Sequence, residues 1–364
     1  MKFAIHKNGI DPVRDRIADT IVTELKNNGL DLTSMENGAN FVLNLTNIDE
    51  PIPFRRKSQA VFVVSLAAIN KPARDMRALC YKTLIRSLSN LMICVVQSNK
   101  KSERNPEIYF TTPEVGFYHY PFDAGKVINN MFPIINSHLM IKNQLIADLP
   151  EKFWETSVVV EDLKRFGEEL DHLGVLPSPF PLRDVLKQED IDDLYRLFEV
   201  KGISYGNLSA REHIPELGDS TFWMTARGVN KAKLSTIGQD ILLVKDYDET
   251  TGEVVVTVPP NHHPKARVSV DAIEHKLIYQ TFPGVGAIIH VHAWMDNVLC
   301  TRQNYPCGTI ELANEVVNML KQTDNPERAV VGLKNHGLTI TGPNLPDIFD
   351  RIRGKLKTEV PMFE

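Results

Sequence analysis

Ala287-Ile288-Ile289-His290-Val291-His292-Ala293 is the stretch that decides how this chain is read. It follows the turn signal Pro283-Gly284 and is apolar and β-branched, so it reads as a buried strand. Side chains alternate faces along a strand, which sends His290 and His292 to the same side. Two imidazoles meeting that way can hold a transition metal. Without a metal, a buried pair must find a partner for every ring nitrogen, and few strands supply them. Upstream, Asp271 opens a helical pattern with apolar Ile273, Leu277 and Ile278. Downstream, Ala329 to Leu338 reads as another buried strand, closing on His336-Gly337. Three imidazoles and a carboxylate, delivered from two strands and a helix start, make a metal site that leaves room for a substrate.

These residues stand among others with a recognisable order. Gly206-Asn207-Leu208-Ser209-Ala210-Arg211, Thr225-Ala226-Arg227-Gly228, Ser269-Val270-Asp271 with His275, Tyr279 and Phe282-Pro283, then His290-Val291-His292 and Asn335-His336-Gly337-Leu338, follow one another in register. Together they resemble the motifs of the class II aldolase/adducin family, which includes fuculose- and rhamnulose-phosphate aldolases and ribulose-phosphate 4-epimerases. The resemblance covers roughly residues 190 to 355, the C-terminal half only.

The resemblance implies a divalent ion on His290, His292 and His336, with zinc first and manganese, cobalt or iron as alternatives. Ser-x-Asp-x-x-x-His looks like the epimerase version of the pattern, which makes Asp271 a fourth ligand, with general base as the alternative. A plain helix N-cap is the other role open to Asp271. Glu274, one turn along the same helix, could point at the site and relay a proton. His275 matches a family histidine that supports the ligands. The family's matching Asn contacts the substrate phosphate, so Asn207 and Ser209 are substrate candidates. An Asx-type turn explains Gly206 to Ser209 equally well.

One part of the pattern departs from the sugar-phosphate enzymes. Where they carry hydroxyl donors, this chain has Arg227-Gly228 and Ser269-Val270. A guanidinium fork replaces two hydroxyls, so Arg227, Gly228 and Ser269 suit a substrate with an acidic group, whereas the alternative for Arg227 is a surface ion pair. The segment after His292 is also short and offers Asp296, Arg302, Tyr305 and Thr309 with no evident proton donor. His262 and His263, adjacent in a proline-rich loop, read as solvated.

The implied activity is that of a metal-dependent carbon–carbon lyase of the class II aldolase type, stabilising an enediolate of a small hydroxy-carbonyl substrate. A 4-epimerase, dehydratase or decarboxylase would use the same site. An adducin-like binding domain without catalysis and an Fe(II) oxygenase are the readings from other classes. The family commonly forms cyclic tetramers, so a homo-oligomer is expected.

The chain has 364 residues, 43% hydrophobic and 24% charged, with formal net charge −5, which suits two globular domains and excludes a nucleic-acid or anionic-membrane surface as main partner. Cys80, Cys94, Cys300 and Cys307 show no paired spacing and read as reduced thiols. No run is long enough to cross a membrane, and no apolar leader opens the chain, so a cytoplasmic protein is expected. The expected fold is α/β throughout, a small N-terminal α/β domain followed by an α/β/α domain. The expected boundaries are 1–150 for a domain of unassigned role, 151–187 for a helix-bearing linker and 188–364 for the aldolase-like domain. In the first half, helices are expected over 11–28, 74–88 and 123–143, and strands over 41–45, 60–64, 91–96, 107–110 and 116–120. No phosphate-binding glycine motif follows any of these strands. His119, among Tyr118, Tyr120 and Phe122, reads as part of an aromatic strand face.

Overall fold

The computed structural model describes residues 1–34, 38–55, 61–97, 105–176, 188, 191, 205–218, 220–248 and 250–364. The chain divides into two compact units, one of residues 1–137, 180–192 and 362–364, the other of 138–179 and 193–361. Both are mixed α/β.

The first unit is built on β1 (Lys2–Lys7), α1 (Pro12–Asn27), β2 (Asp31–Leu32), β3 (Phe41–Leu45), β4 (Phe62–Ile69), α2 (Met76–Arg86), β5 (Leu91–Val96), β6 (Glu107–Thr111), β7 (Phe117–Pro121) and α3 (Ala124–Ile135). The strands form one sheet in the order β2-β1-β3-β4-β5-β6-β7, parallel as far as β5 and antiparallel beyond it. Parallel strands covered on both faces need continuous apolar runs, and Phe-Val-Leu-Asn-Leu of β3 and Leu-Met-Ile-Cys-Val-Val of β5 are buried throughout. Asp11 caps α1 by accepting from Val13 N and Arg14 N, and Pro12 fills the first helical position, where no N–H is needed. Arg14 is wholly buried. It donates to the carbonyls of Asn8, Gly9 and Thr46 and to Asn47 Oδ1, tying the ends of β1 and β3 together.

β1 went unread in the sequence because Lys2, His6 and Lys7 interrupt its apolar pattern. The helix expected over 123–143 stops at Ile135, where Asn136 and Ser137 close it. His119 is on the exposed face of β7, stacked on Tyr109. Residues 177–187 of the expected linker lie outside the described residues.

The second unit contains β8 (Lys142–Ile146), α4 (Val158–His172), β9 (Asn207–Arg211), β10 (Phe222–Thr225), β11 (Ile241–Asp248), β12 (Glu253–Thr257), α5 (Ala272–Thr281), β13 (Ala287–Val291), β14 (Leu299–Cys300), α6 (Ile310–Leu320), β15 (Val330–Leu333), β16 (Gly337–Gly342) and α7 (Leu345–Ile352). Its sheet runs β14-β15-β16-β13-β9-β10-β11-β12-β8. Residues 138–150, expected with the first domain, belong here: β8 pairs in parallel with β12, from Glu253↔Lys142 to Thr257↔Ile146.

Helices cover both faces of this sheet. Leu208, Ala210, Trp223, Ala287, Ile289, Val291, Leu338 and Ile340 point to one side, against α4 and α7. Phe222, Met224, Leu242, Val244 and Ile288 point to the other, against α5 and α6. The period of two places Asn207, Ser209, His290 and Thr339 on this second side, where α5 is the lid. Ala329 to Leu338 is not a single strand. β15 ends at Leu333 and β16 begins at Gly337, and Asn335, at φ 57°, turns the chain between them.

Candidate metal centre

α5 meets the sheet through a polar stripe. Its start and successive turns present Asp271, Glu274, His275 and Tyr279, spaced so that they share one face. Across from them, Asn207 of β9 and Thr339 of β16 stand directly opposite His290 of β13 in the sheet register. Asn207 Nδ2 donates to Asp271 Oδ2 at 2.7 Å, Thr339 Oγ1 donates to Glu274 Oε1 at 2.6 Å, and Ser209 Oγ lies 2.7 Å from His275 Nδ1 and 2.8 Å from Tyr279 Oη. All these side chains are buried. Buried polar groups must be paired, and here helix and sheet pair each other.

Three imidazoles meet at the upper end of this stripe. His290 is the penultimate residue of β13, His292 lies one residue beyond the strand, and His336 sits in the β15–β16 turn. Their ring centroids are 4.8 to 5.2 Å apart. Gly337 lets the turn come this close: a Cβ there would stand 2.2 Å from the Val291 carbonyl oxygen. His290 Nδ1 lies 3.1 Å from the Leu338 carbonyl, which can only accept, so Nδ1 carries the proton and Nε2 is left as a lone pair with no partner. His336 Nε2 and His292 Nε2 are 3.2 Å apart. Burial first, and then the neighbouring rings, hold His292 and His336 well below the usual imidazole range. Burial also lowers His290, with the Asp271 charge and the Leu338 carbonyl opposing it. Three neutral imidazoles are the protonation state a metal requires.

One nitrogen from each of the three histidines can be chosen so that all lie within 4.8 Å of one another, and the same holds for ligand atoms of Asp271, His290 and Cys307. Asp271 Oδ1 is buried without a hydrogen-bond partner. A tetrahedral ion with nitrogens at about 2.0–2.1 Å separates them by about 3.3–3.4 Å. The 3.2 Å between the two Nε2 atoms matches that edge, so the residues present fit a divalent ion.

The surrounding charges are unusual for so buried a place. Glu274 is pushed up to about 8 by burial, then by the Asp271 charge, with Thr339 opposing, so it holds its proton at neutral pH. Arg227 is lowered to about 10 by burial and then by Arg267, with Asp271 opposing. Its Nε is buried without a partner, and Nη2 reaches the Ile141 carbonyl at 3.5 Å. Gly228 forms the turn beside it, and Ser269 is half-buried one strand away, its N–H on the Thr225 carbonyl.

Several expectations change here. Gly206 has a positive φ of 76°, but Asn207 and Ser209 belong to β9, so the Asx-turn explanation falls. Ser209 is fully buried with its hydroxyl engaged by His275 and Tyr279, which removes it as a substrate contact. Asn207 instead orients Asp271. The Asp271 side chain makes no helix-capping hydrogen bond. His275 is lowered to about 3 by burial and then His290, and its Nδ1 is engaged by Ser209 of β9. Asp296 is exposed in an ion pair with Lys357, and Thr309 caps α6. His262 and His263 are half-buried on a separate cleft lined also by Trp154, Glu155 and Thr236.

Three residues near the histidines escaped the sequence reading. Lys231 is 3% exposed and lowered to about 8 by burial, with Asp271 opposing, and its charge acts on His290 and His292. The Tyr205 ring lies 4.9 Å from that of His292. Cys307 Sγ is 3.2 Å from His336 Nε2. None has a local signal, although the Pro306-Cys307-Gly308 turn ahead of a helix could have been marked as a thiol held at a fixed angle.

Residues 191–306 match the Class II Aldolase and Adducin N-terminal domain. This match lies within the C-terminal half of the chain. Among curated proteins, this half is similar to the methylthioribulose-1-phosphate dehydratase of Leptospira interrogans serovar Lai, 31% identical over 166 residues, 43% of this chain and 58% of that protein. It is also similar to the enzyme of that name from Microcystis aeruginosa, 36% identical over 94 residues, 26% of this chain and 38% of the other. The chain therefore spans between about two fifths and three fifths of the length of these relatives. Among solved structures, an L-fuculose 1-phosphate aldolase aligns with 19% identity and a TM-score of 0.36, over 55% of this chain and 83% of its own. Members of the class II aldolase superfamily use a divalent metal, and the aldolase-like domain holds a possible three-histidine site for one. Among the described residues, no helix is long and apolar enough to cross a membrane.

Proposed function

We propose that the aldolase-like domain is a metal-dependent lyase that removes water from a small hydroxy-carbonyl substrate bearing a phosphate or another acidic group. The observation that carries this is the meeting of three neutral imidazoles beside a carboxylate oxygen with no partner. Dehydration is preferred to carbon–carbon cleavage because the relatives matched by sequence are named dehydratases. His290, His292 and His336 would hold the ion, zinc best suiting this donor set. When bound, a divalent ion supplies Lewis-acid polarisation of the substrate's carbonyl and hydroxyl oxygens.

The chain's own groups divide the remaining work. Asn207 ties one oxygen of Asp271, leaving Oδ1 beside His290 to complete the ligand set or to take the proton next to the substrate carbonyl. Glu274, protonated at neutral pH, can return a proton to the departing hydroxyl, and Thr339 fixes the orientation of its carboxyl. Arg227 stays charged and offers its fork to the acidic group in a site where water competes weakly. Tyr205 beside His292 helps to exclude solvent.

The test is metal analysis of protein purified without added metal, followed by turnover of methylthioribulose 1-phosphate and fuculose 1-phosphate with product mass spectrometry. A product lighter by one water is expected from the first. Two carbonyl fragments would establish aldol cleavage instead, and protein that neither retains nor needs a divalent ion would end the proposal.

A further inference from the structure

Cys307 belongs to the same place as the histidines, and nothing in the function proposed above uses it. It sits in the turn Tyr305-Pro306-Cys307-Gly308-Thr309 at the start of α6, and this turn is clamped. Met140 N donates to the Gly308 carbonyl, Ile310 N to the His138 carbonyl, and Thr309 Oγ1 to the Pro306 carbonyl. Gly308 has φ +73°, and a Cβ there would meet Ile141 and Val270, so the backbone beside the thiol has little freedom. The turn holds Cys307 Sγ 3.2 Å from His336 Nε2, and one ligand atom each of Cys307, Asp271 and His290 lie within 4.8 Å of one another.

A tetrahedral ion with nitrogens at about 2.0–2.1 Å and a sulfur at about 2.3 Å spaces nitrogen from sulfur by about 3.5–3.6 Å. The Sγ–Nε2 separation is close to that edge, as the His292–His336 separation is to the nitrogen–nitrogen edge. His290 Nε2, on a side chain 2% exposed, has no partner. Cys307 thus touches the three-histidine cluster at His336 and shares a second three-donor group with its His290.

Resting on the metal reading above, we infer that Cys307 is the fourth ligand of the resting ion, so that the centre is His290, His292, His336 and Cys307. The thiol binds as thiolate and gives its proton to solvent. Four protein ligands make a closed site, whereas catalysis needs an open position. Cys307 is half-buried on a surface turn, so it is the ligand that substrate displaces. Asp271 is then released from ligation and left as the base. A thiolate also biases the centre toward zinc and cobalt over magnesium or manganese.

Cobalt(II) titrated into chelator-treated protein tests this by absorption spectroscopy. Wild type is expected to show ligand-field bands of four-coordinate cobalt together with a near-ultraviolet thiolate-to-cobalt charge-transfer band. Cys307→Ser should keep the first and lose the second, and Cys300→Ser should keep both. Ligand-field bands without charge transfer in wild type would mean a thiol that merely hydrogen-bonds His336, overturning this inference while the metal reading stands. A charge-transfer band surviving in Cys307→Ser would overturn it also, and a wild type that binds no cobalt would overturn both. Iodoacetamide labelling of the wild type, followed by peptide mass spectrometry, checks the same point without a variant. Labelling of Cys307 should slow several-fold when zinc is bound, and an unchanged rate would count against ligation.

Discussion

Glu274→Gln should make the second unit less sensitive to rising pH. Burial, and then the Asp271 charge, raise the Glu274 carboxyl from 4.5 to about 8 in the fold, with Thr339 opposing. In the unfolded chain it titrates near ~4.3. The folded state therefore keeps a proton that the unfolded state releases. Because the folded pKa is raised, the stability this group contributes is complete below about pH 4.3, falls as pH rises toward about 8, and changes no further above it. One proton corresponds to a slope of about 1.4 kcal/mol per pH unit, giving an upper limit of about 5 kcal/mol across the window. Glutamine has the shape of the protonated acid, can accept from Thr339 and does not titrate, so the variant should lack this slope. All three tryptophans, Trp154, Trp223 and Trp294, lie in the second unit, so urea unfolding followed by tryptophan fluorescence isolates it. The measurement belongs on chelator-treated protein between pH 5 and 8, since a cation beside Asp271 would offset its charge. Wild-type and variant stabilities should converge toward pH 5 and separate in favour of the variant by pH 8. Parallel profiles would show that Glu274 is already ionised in the fold, and the assignment of a retained proton would be wrong.

Arg227→Lys keeps the charge but loses the bidentate fork, and should weaken binding of an acidic substrate by roughly 1.5–3 kcal/mol, about a 10- to 150-fold rise in KM, with metal content unaltered. An unchanged KM for Arg227→Ala would show that the anion is held elsewhere. Zinc at about 100 times its Kd should stabilise the second unit by about 2.7 kcal/mol in the same fluorescence assay, and His290→Ala should lose most of that gain. An equal gain in the variant would place the ion at a different site.

Much of this centre could be read from residue order because its parts obey local rules. A strand's period of two dictates that His290 and His292 share a face, and the helical period dictates that Asp271, Glu274 and His275 approach the sheet together. The apolar runs of β3, β4, β5 and β13 likewise announce buried strands wherever they fall. What tertiary structure alone decided is which distant groups meet there. Ser209 follows Asn207 on the same face, yet only the packing of α5 makes it a bracing hydroxyl for His275 and Tyr279. His336 comes from a turn whose position depends on how closely Gly337 lets it approach β13. β8 joins β12, more than a hundred residues further along the chain, a pairing with no local signal at either strand. Cys307 and Lys231 reach the histidines through turns whose directions are set by neighbours far away in sequence. Periodicity fixes the side from which a residue points, whereas non-local packing fixes what it points at, and at this centre the second determined the chemistry.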